Sequence, residues 1–371
     1  MKIAIITTYL PSKCGIATYT HDLRKSLLHN PLLSVDIIAI RDEDYIIYPD
    51  EVRLVINKHS LSSYEEASNF INSAYDYCII QHEYGIFGGS SGEYIINLVE
   101  KLQIPILTIF HTILRQPSSE QKLIIQQLST KSKHVVVMTA FAVDLLENKY
   151  DIIIDKISHI PHGVPVFDFN HRQAKNDIGI TDKIILLSFG FLGRGKGFET
   201  AIKAIANLKN EDLVYIILGT THPNVLKYEG EQYRESLIQE CEELGVANQV
   251  QFINKFASEE TLAKYLIACD MYVTPYPNED QISSGTLSFA IGAGAAVIST
   301  PYIYAKDILK NNVGLLFDFH DNQGLADILQ KLIESPDLLN TYRGNAKSLG
   351  LKMQWPEIGK RYLQLLDIAT N

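Results

Sequence analysis

Residues 278–301 read NEDQISSGTLSFAIGAGAAVISTP. An acidic opening leads into small and hydroxyl-bearing residues, then a segment of mostly small residues, then a Val-Ile run closed by Pro301. The Val-Ile run reads as a buried strand over 295–299, and the segment before it as a short helix over 284–293. The amides of Ser284, Gly285, Thr286 and Leu287 then stand at a helix mouth, where roughly half an elementary positive charge collects. One hydroxyl is enough to cap a helix. Ser283, Ser284 and Thr286 offer three, with Gly285 among them. That excess points to an anion held on backbone amides.

A second stretch makes the same suggestion. In SFGFLGRGKGFETAIKAI (188–205) an apolar run ends, Gly190, Gly193, Gly195 and Gly197 follow, and a helical pattern opens at Phe198-Glu199. Glycines let backbone approach a ligand, and Arg194 with Lys196 supplies positive charge beside a helix N-terminus. A diphosphate has these requirements. A plain glycine-rich turn with two solvated cations would read the same way, and neither the P-loop nor the GxGxxG spacing fits. A third turn, TYLPSKCGIATYTHDL (8–23), places Gly15 at the start of another helix.

Around these turns short apolar runs alternate with amphipathic segments, the pattern of parallel strands covered by helices. The first half predicts strands at 2–8, 35–40, 52–56, 77–81, 105–110, 134–138 and 157–160, with helices at 17–29, 62–73, 92–102, 118–129 and 140–148. Residues 166–183 have little periodicity and read as a linker. The second half predicts strands at 184–190, 213–218, 249–253, 270–274, 295–299 and 314–317. Its helices fall at 197–207, 231–244, 258–268, 284–293 and 322–334, with a last one at 353–369. The expected architecture is α/β, with two Rossmann-like doubly wound parallel-sheet domains facing a cleft. The N-terminal domain spans 1–165, the C-terminal domain 184–352, and the last helix crosses back to the first domain over 353–371. Ligands of such sheets gather at the carboxyl ends of the strands.

Bulk properties narrow the function. The chain of 371 residues is long enough for two domains. A net charge of −10 argues against a nucleic-acid partner, which would need a basic surface. Cys14, Cys78, Cys241 and Cys269 show no CxxC pair and no zinc spacing. The opening MKIAIITTYLP is too short for a signal segment and fits a buried strand, and no run of 18 apolar residues occurs, so a cytoplasmic address is expected with at most peripheral membrane contact.

Several polar residues end apolar runs and so fall on the ligand-facing edge. These are His111 in LTIFHT (107–112), His82 and Glu83 in IIQHEYGIFGG (79–89), and His222 in LGTTHP (218–223). His162 in IPHGVP (160–165) reads as a hinge residue. The pairs Asp42/Asp44 and Asp318/Asp321 read as solvated acids rather than metal ligands.

Taken in order, GIATYTHDL, IFHT, IPHGVP, SFGFLGRGKGFETAIKAI, ACDMYVTPY and SSGTLSFAIGAGAAVISTP resemble the retaining glycosyltransferases of family 4, with the GT-B fold. QHEYGIFGG, HTIL and DQISSGTL are similar to a bacterial, mannosyltransferase-like subgroup. The resemblance covers almost the whole chain and implies a nucleotide-sugar donor, a glycan or glycoside acceptor, and no cofactor or metal. GDP-mannose is the favoured donor, with UDP-glucose second. It implies that Lys196, with Arg194, neutralises the leaving diphosphate, and that Gly285 and Thr286 donate amides to it beside Gly193 and Ser284. Gly15 would help from the other domain, and His222 would touch the base or ribose. His111 and Gln281 would contact the sugar or reacting centre, and His82 and Glu83 would face the acceptor. The chain departs from the family's two-glutamate motif: Gln281 holds the first place and Phe289 the second. The alternatives this leaves open are a non-catalytic binding protein, an epimerase or a phosphorylase of the same architecture.

Overall fold

In β1 (Lys2–Thr7) every residue after the first is buried, and in β4 (Tyr77–His82) all of them are. Strands covered on both faces have no reason to alternate, so they appear as continuous Ile, Val and Leu runs. The computed structural model describes residues 1–42, 46–168 and 170–368. Within them, β1, β2 (Ser34–Arg41), β3 (Val52–Asn57), β4, β5 (Ile106–Phe110), β6 (His134–Val137) and β7 (Ile157–His159) form one sheet. Its order is β3-β2-β1-β4-β5-β6-β7, every pair parallel. A second sheet is built from β8 (Ile184–Phe189), β9 (Leu213–Leu218), β10 (Val250–Ile253), β11 (Met271–Thr274), β12 (Ala296–Ser299) and β13 (Gly314–Leu316). Its order is β10-β9-β8-β11-β12-β13, again all parallel.

The chain divides into two compact units, Met1–Gly163 with the segment from Trp355 onward, and Val164–Gln354. Each is a Rossmann-like α/β unit, as the sequence predicts. In each sheet the strand order reverses beside the first strand, between β1 and β4 and between β8 and β11. A crevice at the carboxyl ends of such strands is the ligand position of this architecture. The turns after β1, β4, β8 and β11 carry glycine, histidine and hydroxyl residues that the sequence marks, and His111 and His222 follow β5 and β9.

Packing explains the terminal helix and the small residues. Helix Trp355–Leu365 lies on helix Gly15–Leu27 within the first unit. Ser26 donates to the Trp355 carbonyl at 2.5 Å, and the Tyr19 and Tyr362 hydroxyls meet at 2.7 Å. In the second unit, helix Gly285–Gly292 packs on helix Pro336–Met353 so closely that a Cβ on Gly350 would stand 2.7 Å from the Gly292 Cα. Gly292, the first residue of GAGAAV, therefore serves helix contact.

The segment read as a linker is a correction. Residues His171–Asp177 form a helix capped by Asn170, packed on helix Glu259–Ala268. A buried charge cluster pins it: Asp270 accepts from Lys175 Nζ at 2.8 Å and lies 3.3 Å from His171 and 3.9 Å from Arg343. The helices Pro223–Glu229, Ile303–Ile308 and Pro336–Met353 are further additions. Among the described residues no helix is long and apolar enough to cross a membrane.

Candidate functional site

In the second unit the loop after β8 folds against the mouth of helix Gly285–Gly292. Gly197 has φ +65°, and a Cβ there would stand 2.1 Å from the Pro275 carbonyl oxygen. The turn that carries Arg194 and Lys196 is thereby held against the loop after β11. Gly219, at φ +153°, lies so near that a Cβ would reach the Gly190 carbonyl at 1.9 Å. These glycines are demanded by the fold. Gly193 is different: its backbone is extended, and a Cβ would meet only an ordinary 3.7 Å contact. Around Gly195 and Gly15 there is open space. Folding alone gives no reason for glycine there.

Helix Gly285–Gly292 starts at Ser284, whose Oγ accepts the Leu287 amide at 3.3 Å. Among the described residues the amides of Gly285 and Thr286 find no acceptor, as expected in a first turn. The residue that joins this mouth to the glycine turn is Tyr276, which the sequence reading missed. Its hydroxyl and the Thr286 hydroxyl are 2.9 Å apart, and Lys196 Nζ lies 4.2 Å from its ring centroid. Lys196 has no carboxylate partner among the described residues, so its charge rests on the face of a buried ring beside two orphan amides. Position alone could have flagged Tyr276, because ACDMYVTPY ends on it, directly after β11.

The other members of the set diverge from this centre. Arg194 is exposed and turns to Glu229 at 3.8 Å, its guanidinium 5.6 Å from the Tyr233 ring centroid. His222 packs edge-on against Phe191, its amide donating to the Leu192 carbonyl at 2.9 Å. The Gln281 side-chain amide donates to the Ser283 carbonyl at 2.9 Å, and the Gln281 backbone carbonyl accepts the Tyr304 amide at 3.1 Å. Phe289 stacks on Phe189, with centroids 6.2 Å apart and planes 28° from parallel.

In the first unit, Gly15 begins helix Gly15–Leu27, with Cys14 as its N-cap. Gln81 and His82 end β4, Glu83 caps the turn that follows, and His111 follows β5. The His111 amide donates to the His82 carbonyl at 3.0 Å. His82 is fully buried among Tyr84, Phe87 and Phe110, and neither ring nitrogen has a partner among the described residues. It is thus packed inside rather than presented at a surface, and this burial pushes its pKa down to about 3. His111 is almost as deep. Its pKa is pushed to about 3, chiefly by burial and then by the neighbouring His162 and His82. His162, lowered to about 4 by burial, lies against Tyr19 and Trp355, its Nδ1 at 2.7 Å from the Gly163 carbonyl. Burial raises the Glu83 carboxyl, partly offset by hydrogen bonds from the Thr112 hydroxyl and the Tyr84 amide.

Two of the paired acids have structural partners. Asp42 binds Lys58 and His59, and Asp321 caps helix Asn322–Glu334; Asp44 lies outside the described residues. Among the described residues no three His, Cys, Asp or Glu side chains are grouped as metal ligands.

Known proteins share the fold and part of the sequence. A D-inositol 3-phosphate glycosyltransferase of Corynebacterium jeikeium is 28% identical over 256 residues, 65% of this chain and 58% of that protein. A UDP-N-acetylglucosamine–N-acetylmuramyl-(pentapeptide) pyrophosphoryl-undecaprenol N-acetylglucosamine transferase of Caldicellulosiruptor saccharolyticus is 24% identical, over 56% of this chain and 55% of that one. The chain thus spans little more than half the length of these curated relatives. Among solved structures, sucrose-phosphate synthase from Thermosynechococcus elongatus superposes with a TM-score of 0.79 at 19% identity, covering 99% of this chain and 98% of that one. Anabaena HepE in complex with UDP gives 0.75 at 16%, covering 99% and 100%. The fold is that of the GT-B glycosyltransferase structures. Residues 170–349, which hold Lys196, Tyr276 and the helix mouth at Gly285, match the family model Glycosyl transferases group 1.

Proposed function

We propose that the chain is a retaining, metal-independent glycosyltransferase that moves a hexosyl group from a nucleotide sugar to a hydroxyl of a glycan or glycoside. Mannose from GDP-mannose is the first choice and glucose from UDP-glucose the second. The observation that carries this reading is the Lys196–Tyr276–Thr286 arrangement: a cation and two helix-mouth amides without partners among the described residues, joined by one buried tyrosine. A diphosphate is the ligand that satisfies both. The family-model match of residues 170–349 and the UDP-bound state of Anabaena HepE support the same class of ligand.

In this reading the second unit binds the donor, and Lys196 with the Gly285 and Thr286 amides stabilises charge developing on the departing diphosphate. Such preorganised donors are worth about 2–4 kcal/mol each in a transition state. The diphosphate oxygen takes the acceptor's proton on the face it leaves, so the anomeric configuration is kept. Arg194, held toward Glu229, contributes less than Lys196. The test is turnover: purified chain, a donor panel with glycoside acceptors, and release of nucleoside diphosphate measured with and without a chelator. Acceptor-dependent release that survives chelation is expected. Release that needs added divalent metal, or interconversion of the donor without acceptor, would overturn the proposal.

One observation favours a second reading. Phe289 presents an aromatic ring packed on Phe189, and Gln281 turns its amide to its own loop. A sugar-nucleotide-binding protein without turnover would show donor binding and no release in the same assay.

A further inference from the structure

Three aromatic side chains of the second unit leave the carboxyl ends of three neighbouring strands and meet on one edge. Phe191 stands just beyond β8, His222 in the turn after β9 and Phe256 just beyond β10. The Phe191 ring meets His222 edge-on, with centroids 5.4 Å apart and planes at 71°. It lies 5.8 Å from Phe256, with planes at 36°. Backbone bonds fix the first pair: the Leu192 amide donates to the Thr220 carbonyl and the His222 amide to the Leu192 carbonyl, each at 2.9 Å. Phe256 is 54% exposed, and the other two rings are half-buried. A single exposed ring needs no explanation. Three rings delivered to one edge by three separate turns form an open shelf, whose area suits a flat ring.

The shelf and Lys196 share one turn. Its start carries Phe191 on the β9 side of β8, and its end, at Gly197, is wedged against Pro275 after β11 on the other side. Adjacent strands lie about 4.8 Å apart, so β10 stands about 10 Å from β8. A ligand with its diphosphate at Lys196 and the Gly285 and Thr286 amides can therefore run along this turn onto the rings. We propose that Phe191 and Phe256 hold the base of the nucleoside diphosphate by stacking on its face, with His222 bounding the shelf. This rests on the reading of Lys196 and the helix mouth as a diphosphate site, and deepens it by naming what holds the other end of the ligand. Every nucleobase has a π-face, so affinity gained by stacking is tolerant of base identity. The choice between nucleotide sugars then falls to the sugar.

Calorimetric titration of the intact protein with GDP, UDP, ADP and inorganic diphosphate tests this. Phe256→Ala should weaken all three nucleotides by a similar factor, about ten-fold, and leave inorganic diphosphate and the ligand-free melting temperature unchanged. Phe256→Trp, which keeps an aromatic face, should bind the nucleotides at least as tightly as wild type. Wild-type nucleotide affinity in Phe256→Ala, with Lys196→Ala still weakening it, would overturn the shelf and leave the diphosphate site standing. A loss confined to one base would point to hydrogen-bond reading of that base and overturn stacking, as would an equal loss of inorganic diphosphate. If the wild type bound no nucleotide, the diphosphate reading itself would fail and take the shelf with it.

Discussion

Tyr276 joins a hydroxyl contact with Thr286 and a ring under Lys196, and the two can be separated by substitution. Tyr276→Phe keeps the ring and loses the hydrogen bond, so nucleotide binding should change little and stability should fall by about 0.5–1.5 kcal/mol. Tyr276→Ala removes the support of the cation as well, and nucleotide affinity should drop markedly, read by calorimetry. Equal binding by the two variants would show that Lys196 does not need the ring. Gly197→Ala tests the turn itself. A side chain at φ +65° facing the Pro275 carbonyl should cost about 1–3 kcal/mol in chemical denaturation, and a neutral result would mean that the loop relaxes freely. The residue scale is also where the sequence was least legible. Glycine clusters and strand-end histidines stand out in a single chain, but Tyr276 looks like an ordinary residue beyond a strand until the loops bring its partners to it.

At the scale of elements, both sheets could be read in advance, because buried parallel strands are continuous apolar runs and need no partner to be recognised. The helices that escaped are those whose stability is tertiary. Pro336–Met353 contains Gly344 and Gly350, which lower its intrinsic propensity, and Gly350 is there to let helix Gly285–Gly292 approach. His171–Asp177 is too short to show a period, and the Asp270 cluster holds it. That cluster gives a prediction of its own. Lys175, His171 and Arg343 surround the Asp270 carboxylate, which also accepts the Ile185 amide at 2.8 Å. Asp270→Ala removes the carboxylate from the partly buried Lys175 and Arg343, which keep only the Lys183 and Gly294 carbonyls, and should cost about 1–3 kcal/mol in denaturation of the second unit. A loss below about 1 kcal/mol would show that water replaces the carboxylate.

On the scale of the whole molecule, the first unit carries a pH liability. The folded pKa values of His82, His111 and His162, about 3, 3 and 4, lie below the ordinary 6.5. The unfolded chain therefore binds more protons than the folded one between these values. Stability is fully present above about pH 6.5 and is lost as pH falls toward 4. The melting temperature should drop between pH 7 and pH 5, and His82→Phe, which fits the aromatic set without a titrating group, should flatten the drop. A profile unchanged by that substitution would mean that His82 is reached by water in the folded state.

The central claim is that the mouth of helix Gly285–Gly292 and Lys196 together hold a diphosphate. Thermal shift with GDP, UDP and ADP, each beside its sugar nucleotide, on wild type and Lys196→Ala tests it most directly. At least one nucleoside diphosphate should raise the wild-type melting temperature, and the rise should vanish in Lys196→Ala, whose ligand-free melting temperature stays close to wild type. An equal rise in both proteins, or no rise with any nucleotide in the wild type, would contradict it.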